Sequence, residues 1–355
     1  MQQLTYRLRF LTPAFLGNAE QSAQWRTPPI KALLRQWWRV AYRAEHSGAS
    51  VPAMRNAEGR LFGHAWLEND SDERGHKVAA RRSQVRLRLS SWTTGKLLAA
   101  KWPGLPKVRH PEVQQAVPAD LYLGYGPVTL PRGQRVPALK ASAAVQAGES
   151  ARLSLAAPDD AAAGLLQALD LMNRFGTLGG RSRNGWGSFV LEPESGTAAL
   201  EAALDTRCLR PWSDALETDW PHAIGNDHRG ALIWQTGQAE SDWTGVIRSL
   251  AQIKIGLRTQ FRFPQEKADG EAHDRHWLSY PVTNHKVNDW NNLRLPNSLR
   301  FKVRTDHDGK LRGVIFHMPC LPPRAFRPDA AAIQAVWKKV HDYLDAAPAL
   351  QRIPG

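Results

Sequence analysis

The sequence predicts an α+β fold that repeats one architecture in its two halves. Strict polar–apolar alternation marks several strands, and capped amphipathic segments mark the helices between them. The order strand, helix, strand, strand, helix occurs once in each half. With 42% hydrophobic residues over 355 positions the chain can bury a real core, and its length suits about two domains.

Leu4, Tyr6, Leu8 and Phe10 alternate with Thr5, Arg7 and Arg9, the period of a half-buried strand. A polar loop leads to a helix whose first turn is set by Pro28 and Pro29, where the missing N–H of proline costs nothing. Short strands are expected around Leu61–Trp66 and Val85–Trp92. The proline- and glycine-rich stretch from Lys96 to Pro137 is expected to be an irregular insertion. A strand over Ala151–Ala156 follows, then an Ala/Leu helix capped by Asp159 or Asp160 and running to Phe175. A glycine-rich loop and a closing strand over Trp186–Leu191 end the first half.

The pattern weakens after Glu192 and resumes near Arg229. Ala231–Thr236 is then expected as a strand, and Asp242 as the cap of a helix with Trp243, Val246, Ile247, Leu250 and Ile253 on one face. Leu299–Thr305 and Lys310–Met318 form a predicted hairpin around Asp306-His-Asp-Gly309. A last helix is expected from Asp329 to Ala346.

Charge narrows the partner. The formal net charge is +14, which favours nucleic acid or an anionic membrane surface. No apolar run approaches the roughly 20 residues of a membrane span, so no membrane partner is expected. Two distant cysteines, Cys208 and Cys320, exclude a disulfide scaffold or a cysteine-rich zinc site and suit a reducing cytoplasm. The amino terminus lacks a signal-peptide layout.

The segment Arg26-Thr-Pro-Pro-Ile-Lys-Ala-Leu-Leu-Arg-Gln-Trp-Trp-Arg-Val-Ala-Tyr-Arg43 is the most informative. It spaces Lys31, Arg35, Arg39 and Arg43 four apart, which drifts only about 40° per step on a helix. Ile30, Leu33, Leu34, Trp37 and Ala41 fall on the opposite side, with Trp38 at the border as an expected stacking platform. No acid precedes Glu45 on this helix, so the stripe is expected to face a polyanion.

Cations also occupy the polar face of three strands: Arg7 and Arg9, Arg86 and Arg88, and Arg300, Lys302 and Arg304. They define an expected anion-facing surface. The loop Phe175-Gly-Thr-Leu-Gly-Gly-Arg-Ser-Arg-Asn-Gly-Trp-Gly-Ser-Phe189 carries five glycines with Arg181, Arg183 and Asn184. Such a loop lets backbone amides converge on a phosphate. It is no nucleotide P-loop, because helix, loop and strand come in that order and no Gly-Lys-Ser/Thr closes it. No cofactor is expected.

With these motifs a resemblance becomes specific. Leu-Thr-Pro-Ala-Phe-Leu-Gly17, the Pro-Pro-Ile-Lys…Trp-Trp-Arg39 helix, Leu-Phe-Gly63 and Gly-Gly-Arg-Ser-Arg-Asn-Gly-Trp-Gly187 resemble the RAMP superfamily of CRISPR proteins. Within it they resemble the first Cmr subunit of type III-B antiviral effector complexes, strongly over residues 1–192 and more weakly through Leu295-Pro-Asn-Ser-Leu-Arg-Phe-Lys302. The resemblance implies two ferredoxin-like (βαββαβ, RRM-like) domains in tandem with loop insertions, over 1–195 and 229–355, joined by a linker at 196–228. It implies binding of CRISPR guide RNA and target RNA, and assembly with other Cmr subunits, one of which cleaves the target. The expected RNA-facing set is Arg26, Lys31, Arg35, Trp38 and Arg39 on the helix, and Gly179, Gly180, Arg181, Arg183, Asn184 and Gly185 on the loop. The second half has no comparable loop after a helix.

Catalytic signals are weaker. His273-Asp-Arg-His276 has the flavour of a metal site without a third ligand or an HExxH pattern. Glu68, Asp70, Asp72 and Glu73 are expected to be solvated acids rather than a general acid/base pair. The alternative function is a RAMP endoribonuclease processing CRISPR transcripts. Those enzymes use an early histidine and a glycine-rich loop near the carboxyl terminus, whereas here the first histidine is His46 and the loop lies mid-chain.

Overall fold

The computed structural model describes all residues except 66, 68, 69, 73, 198, 201, 202, 264–269 and 355. The expected strand at Leu61–Trp66, and the acids Glu68 and Glu73, therefore fall partly or wholly outside the described residues. The chain forms two compact units. The first comprises Met1–Leu98, Ala141–Gly180 and Gly187–Cys208; the second comprises Ala99–Lys140, Arg181–Trp186 and Leu209–Gly355.

In the first unit, β1 (Gln2–Phe10) is followed by α1 (Thr27–Glu45), α2 (Val51–Phe62), β2 (Arg86–Leu89), β3 (Ser150–Ala157), α3 (Ala162–Phe175) and β4 (Phe189–Pro193). The sheet runs β4-β1-β3-β2, and every pairing is antiparallel. The register puts Tyr6 opposite Leu153 and Leu153 opposite Leu89, so the apolar residues share one face. Alternation alone dictates this, since successive side chains point to opposite faces. Trp37 of α1 packs 5.7 Å from Phe175 of α3, and Phe10 packs against Trp25 and Phe189.

The helix α2 corrects the expected strand at Leu61. The Ser50 hydroxyl accepts from the Ala53 amide at 3.3 Å and a proline occupies the first turn, both helix-starting signals. Gly63, at φ +82°, ends the helix. Only the two-residue strand His64–Ala65 remains of the expected one.

The second unit contains β5 (Ile233–Thr236), α4 (Trp243–Arg258), β6 (Leu299–Thr305), β7 (Leu311–His317), α5 (Ala330–Ala346) and β8 (Leu350–Arg352), and the four strands form a second antiparallel sheet. Its order is β6-β7-β5-β8. Numbered within each unit, both sheets run fourth, first, third, second. Asp242 caps α4 by accepting from the Thr244 and Gly245 amides, and Asp329 caps α5 through Ala331 and Ala332. Asp306 closes the hairpin, its backbone and side chain both bonding to Lys310. β8, only three residues long, had no periodic signal of its own.

The insertion is better ordered than its composition suggests. It holds short strands and the helix Ala119–Gly124. Trp102 is buried and donates to Asp120 at 2.7 Å. The same ring meets Trp186 at 5.7 Å and Trp243 at 5.9 Å, a three-tryptophan cluster inside the second unit.

Candidate nucleic-acid interface

The basic stripe of α1 has partners within its own unit. Glu58 of α2, its side chain only 6% exposed, accepts from Arg35 at 2.7 Å and from Arg39 at 2.7 and 2.9 Å. Lys31 donates to the Phe62 carbonyl at 3.0 Å and Arg43 to the Ala49 carbonyl at 2.7 Å. The stripe thus anchors α2, and the acid it matches lies on the next helix. Arg35 and Arg39 keep 38% and 42% of their side-chain surface. Arg26, the residue before the helix, is half-buried.

Trp38 corrects its expected role. It is 6% exposed, with Tyr42 at 4.9 Å and Phe62 edge-on at 5.7 Å. The unforeseen α2 brings Phe62 over the ring, so no face is left for a base.

The glycine-rich loop is divided between the units. Gly179, at φ +95°, has the Phe15 carbonyl where a Cβ would come within 2.7 Å. Gly187, at φ +65°, lies against the Leu178 carbonyl. These close approaches are to the chain's own backbone. The amides of Leu178, Gly180 and Gly187 accordingly donate to Gly187, Phe15 and Pro13 at 2.8–2.9 Å, rather than pointing out toward a ligand. Gly185 is buried against Leu250 and Ile247.

The tip, in the second unit, differs. The amides of Arg181, Ser182 and Arg183 have no acceptor among the described residues, whereas those of Asn184 and Gly185 turn back to the carbonyls of 181 and 182. Arg181 is exposed and its Nε donates to the Tyr125 carbonyl; Tyr125 itself is 65% exposed. Arg294, close enough to repel Arg181, is exposed as well. Arg183 is half-buried and donates to the Asn297 carbonyl at 3.2 Å. Asn184 faces inward: its Nδ2 donates to Leu123 and its Oδ1 accepts from Lys254 at 2.5 Å. Burial, helped by Arg258 and Arg181, pushes the Lys254 ammonium down to about 7.

The cationic strand faces divide as well. Arg7, Arg86, Arg88 and Arg152 are exposed on the polar side of the first sheet. Arg7 stands opposite Arg152 and Ser154 opposite Arg88. Glu192 pairs with Arg9 at 2.6 Å and Glu194 with Arg152 at 2.7 Å, tempering the patch. On β6 the expectation fails: Arg300 is 7% and Lys302 1% exposed. Burial pushes Arg300 down to about 9 and Lys302 well below the usual lysine range.

Asp70, expected to be solvated, is buried and clamped by Arg81 and His64 at 2.7 Å, with Arg60 at 3.4 Å. The Arg81 and His64 hydrogen bonds hold its carboxyl far below the ordinary range. Asp72 is exposed and bonds to the backbone of Arg74 and His76. His273 and His276 have fold roles: His276 Nδ1 takes the His273 amide at 3.0 Å, and its Nε2 bonds to the His285 carbonyl at 3.1 Å. Among the described residues no helix is long and apolar enough to cross a membrane, and no three metal-ligating side chains are grouped.

A basic α+β protein with one open cationic sheet and an arginine-tipped glycine loop is the class these features define. The family model of the RAMP superfamily matches residues 7–190, and the chain belongs to that superfamily. Among solved structures it is similar to apo Cmr1 from Pyrococcus furiosus, at 15% identity and a TM-score of 0.45, covering 97% of this chain and 98% of that one. It is also similar to a chain of a type III-B Cmr-beta complex bound to cognate target RNA, at 10% identity and a TM-score of 0.45, covering 96% and 99%. No curated protein matches.

Proposed function

We propose that this chain is a non-catalytic, RNA-binding subunit of a type III-B CRISPR effector, contacting guide RNA, target RNA or both and assembling with other Cmr subunits. Membership of the RAMP superfamily and the +14 charge support the reading. So do the sequence motifs that resemble the first Cmr subunit. The same reading takes each four-stranded sheet as the core of a ferredoxin-like domain, with the linker in 196–228.

The observation that carries the proposal is the loop tip. Three successive amides without an internal acceptor, at 181–183, lie beside the exposed cations Arg181 and Arg294. Such a run of N–H groups suits a phosphate oxygen, and arginine adds charge-assisted bonds. Arg181→Ala with Arg294→Ala should weaken single-stranded RNA binding. The slope of log K against log salt should fall by about 0.7 for each phosphate that the variant no longer neutralises. Unchanged affinity and slope in the folded variant would remove the loop tip from the interface.

A further inference from the structure

We propose that a pocket of the second unit binds a nucleoside phosphate, at a site distinct from the loop tip and the open sheet. The pocket has a volume of about 570 Å³, within the roughly 300–1,000 Å³ typical of small-molecule sites. Arg258 at the end of α4, Arg262 and Phe263 just beyond it, Arg275 of the short helix Asp274–Leu278, His285 and Glu112 line it.

Among the described residues the charge in this pocket is unbalanced. Arg275 donates to both Glu112 oxygens, at 2.7 and 2.8 Å, so the one lining carboxylate among the described residues is committed. The guanidinium groups of Arg258 and Arg262 have no hydrogen-bond or ion-pair partner among the described residues. Burial is the main influence against the charge on Arg258 and Arg275 adds to it, with Tyr122 and Glu112 opposing them; an incoming anion would offset the burial. Two guanidinium groups without a hydrogen-bonded carboxylate match the charge and fork geometry of a phosphate monoester.

The rest of the lining suits a flat ring. His285 lies on Phe263 with centroids 3.6 Å apart and planes 9° from parallel. Arg275 sits 5.5 Å from the Phe263 centroid, which braces the stack. Both rings are half-buried and both line the cavity. Bases stack on such surfaces with little regard to identity. The adjoining Thr283 and Asn284 supply hydroxyl and amide groups for a sugar or base edge.

The site does not rest on the RNA reading: a chain that failed to bind single-stranded RNA would still be expected to bind a monophosphate here. The test is calorimetric titration of the full chain with the four ribonucleoside monophosphates, their unphosphorylated nucleosides and inorganic phosphate. At least one monophosphate should bind saturably, and Arg262→Ala should weaken it about tenfold or more, the loss expected for one charge-assisted bond. Arg262 is exposed, so that variant should keep the parent melting temperature. His285→Ala should weaken the monophosphate and leave inorganic phosphate unchanged. Displacement of the monophosphate by a short RNA with a terminal phosphate identifies a strand end as the ligand, and failure to displace it identifies the free nucleotide; either supports the site. The absence of saturable binding at millimolar ligand overturns it, as does binding indifferent to Arg262→Ala. Equal loss for monophosphate and inorganic phosphate in His285→Ala overturns the assignment to a nucleoside.

Discussion

His317 and His341 set a pH limit on the second unit. The Ser298 hydroxyl bonds to His317 Nε2 at 3.0 Å, and His317 Nδ1 meets His341 Nε2 at 2.9 Å. Both rings are buried, and Trp337 stacks on His317 with centroids 4.1 Å apart. A hydrogen bond between two such nitrogens needs one to carry the proton and the other to be bare, so both rings cannot be charged together, and burial disfavours charge on either. Burial accordingly lowers both, His341 to about 3 and His317 well below its ordinary value. The unfolded chain takes up protons near pH 6.5 while the folded chain resists, so this stability is present above that pH and lost as pH falls through it. The loss should reach on the order of 2 kcal/mol per histidine by pH 5. Denaturant midpoints measured from pH 7.5 to 5 should therefore fall, and fall less in His341→Gln. Equal slopes in the two proteins would show that the pair does not carry the effect. Nothing in the sequence pairs these histidines, which lie 24 residues apart on a strand and a helix. The cap Asp242 was legible because a cap acts within its own turn. Neither Asp159 nor Asp160, by contrast, caps the helix Ala162–Phe175: both lie in a 3₁₀ turn before it, and Ala161 precedes it with no side-chain cap.

At the scale of elements, α1 and α2 show what a helical pattern can and cannot reveal. Spacing correctly places Lys31, Arg35, Arg39 and Arg43 on one side, and Ile30, Leu34 and Trp37 in the core. It says nothing of the acid that answers them from another helix. Glu58 is nearly buried while its two arginines are partly exposed, so the interaction falls between the surface and buried regimes. Glu58→Ala should cost about 1–3 kcal/mol, discounted from the buried-pair range because both arginines reach solvent. In a double-mutant cycle with Arg35→Ala and Arg39→Ala the losses should fall short of additive by about 0.5 kcal/mol or more. Additive losses in chemical denaturation would mean that the stripe and α2 are energetically independent. The glycine loop teaches the same lesson: five glycines announce close backbone approach, but whether to a ligand or to the chain itself is decided by Pro13 and Phe15, far away in sequence.

At the scale of the molecule, one strand order occurs twice with opposite treatment of its polar face. The repeated order was legible from alternation and helix caps, because both are local. The fate of each cationic face was not, since period-two patterning is the same whether that face meets water or protein. In the first unit Arg86 and Arg88 are exposed; in the second, Arg300 and Lys302 are buried. The consequences of substitution should differ accordingly. Arg86→Ala with Arg88→Ala should leave the melting temperature nearly unchanged, as surface changes usually lie within about 0.5 kcal/mol. If the open sheet takes part in RNA binding, the same pair should lower affinity and reduce the salt slope by about 0.7 per phosphate released. Lys302→Ala removes a fully buried side chain and should instead destabilise by about 2–4 kcal/mol through poorer packing and a cavity. Salt-dependent RNA titrations and melts of the two variants decide the matter together. A sheet variant that melts normally and binds RNA with undiminished slope would confine the interface to elements other than this face, and a Lys302→Ala protein as stable as the parent would show that its burial contributes nothing to the fold.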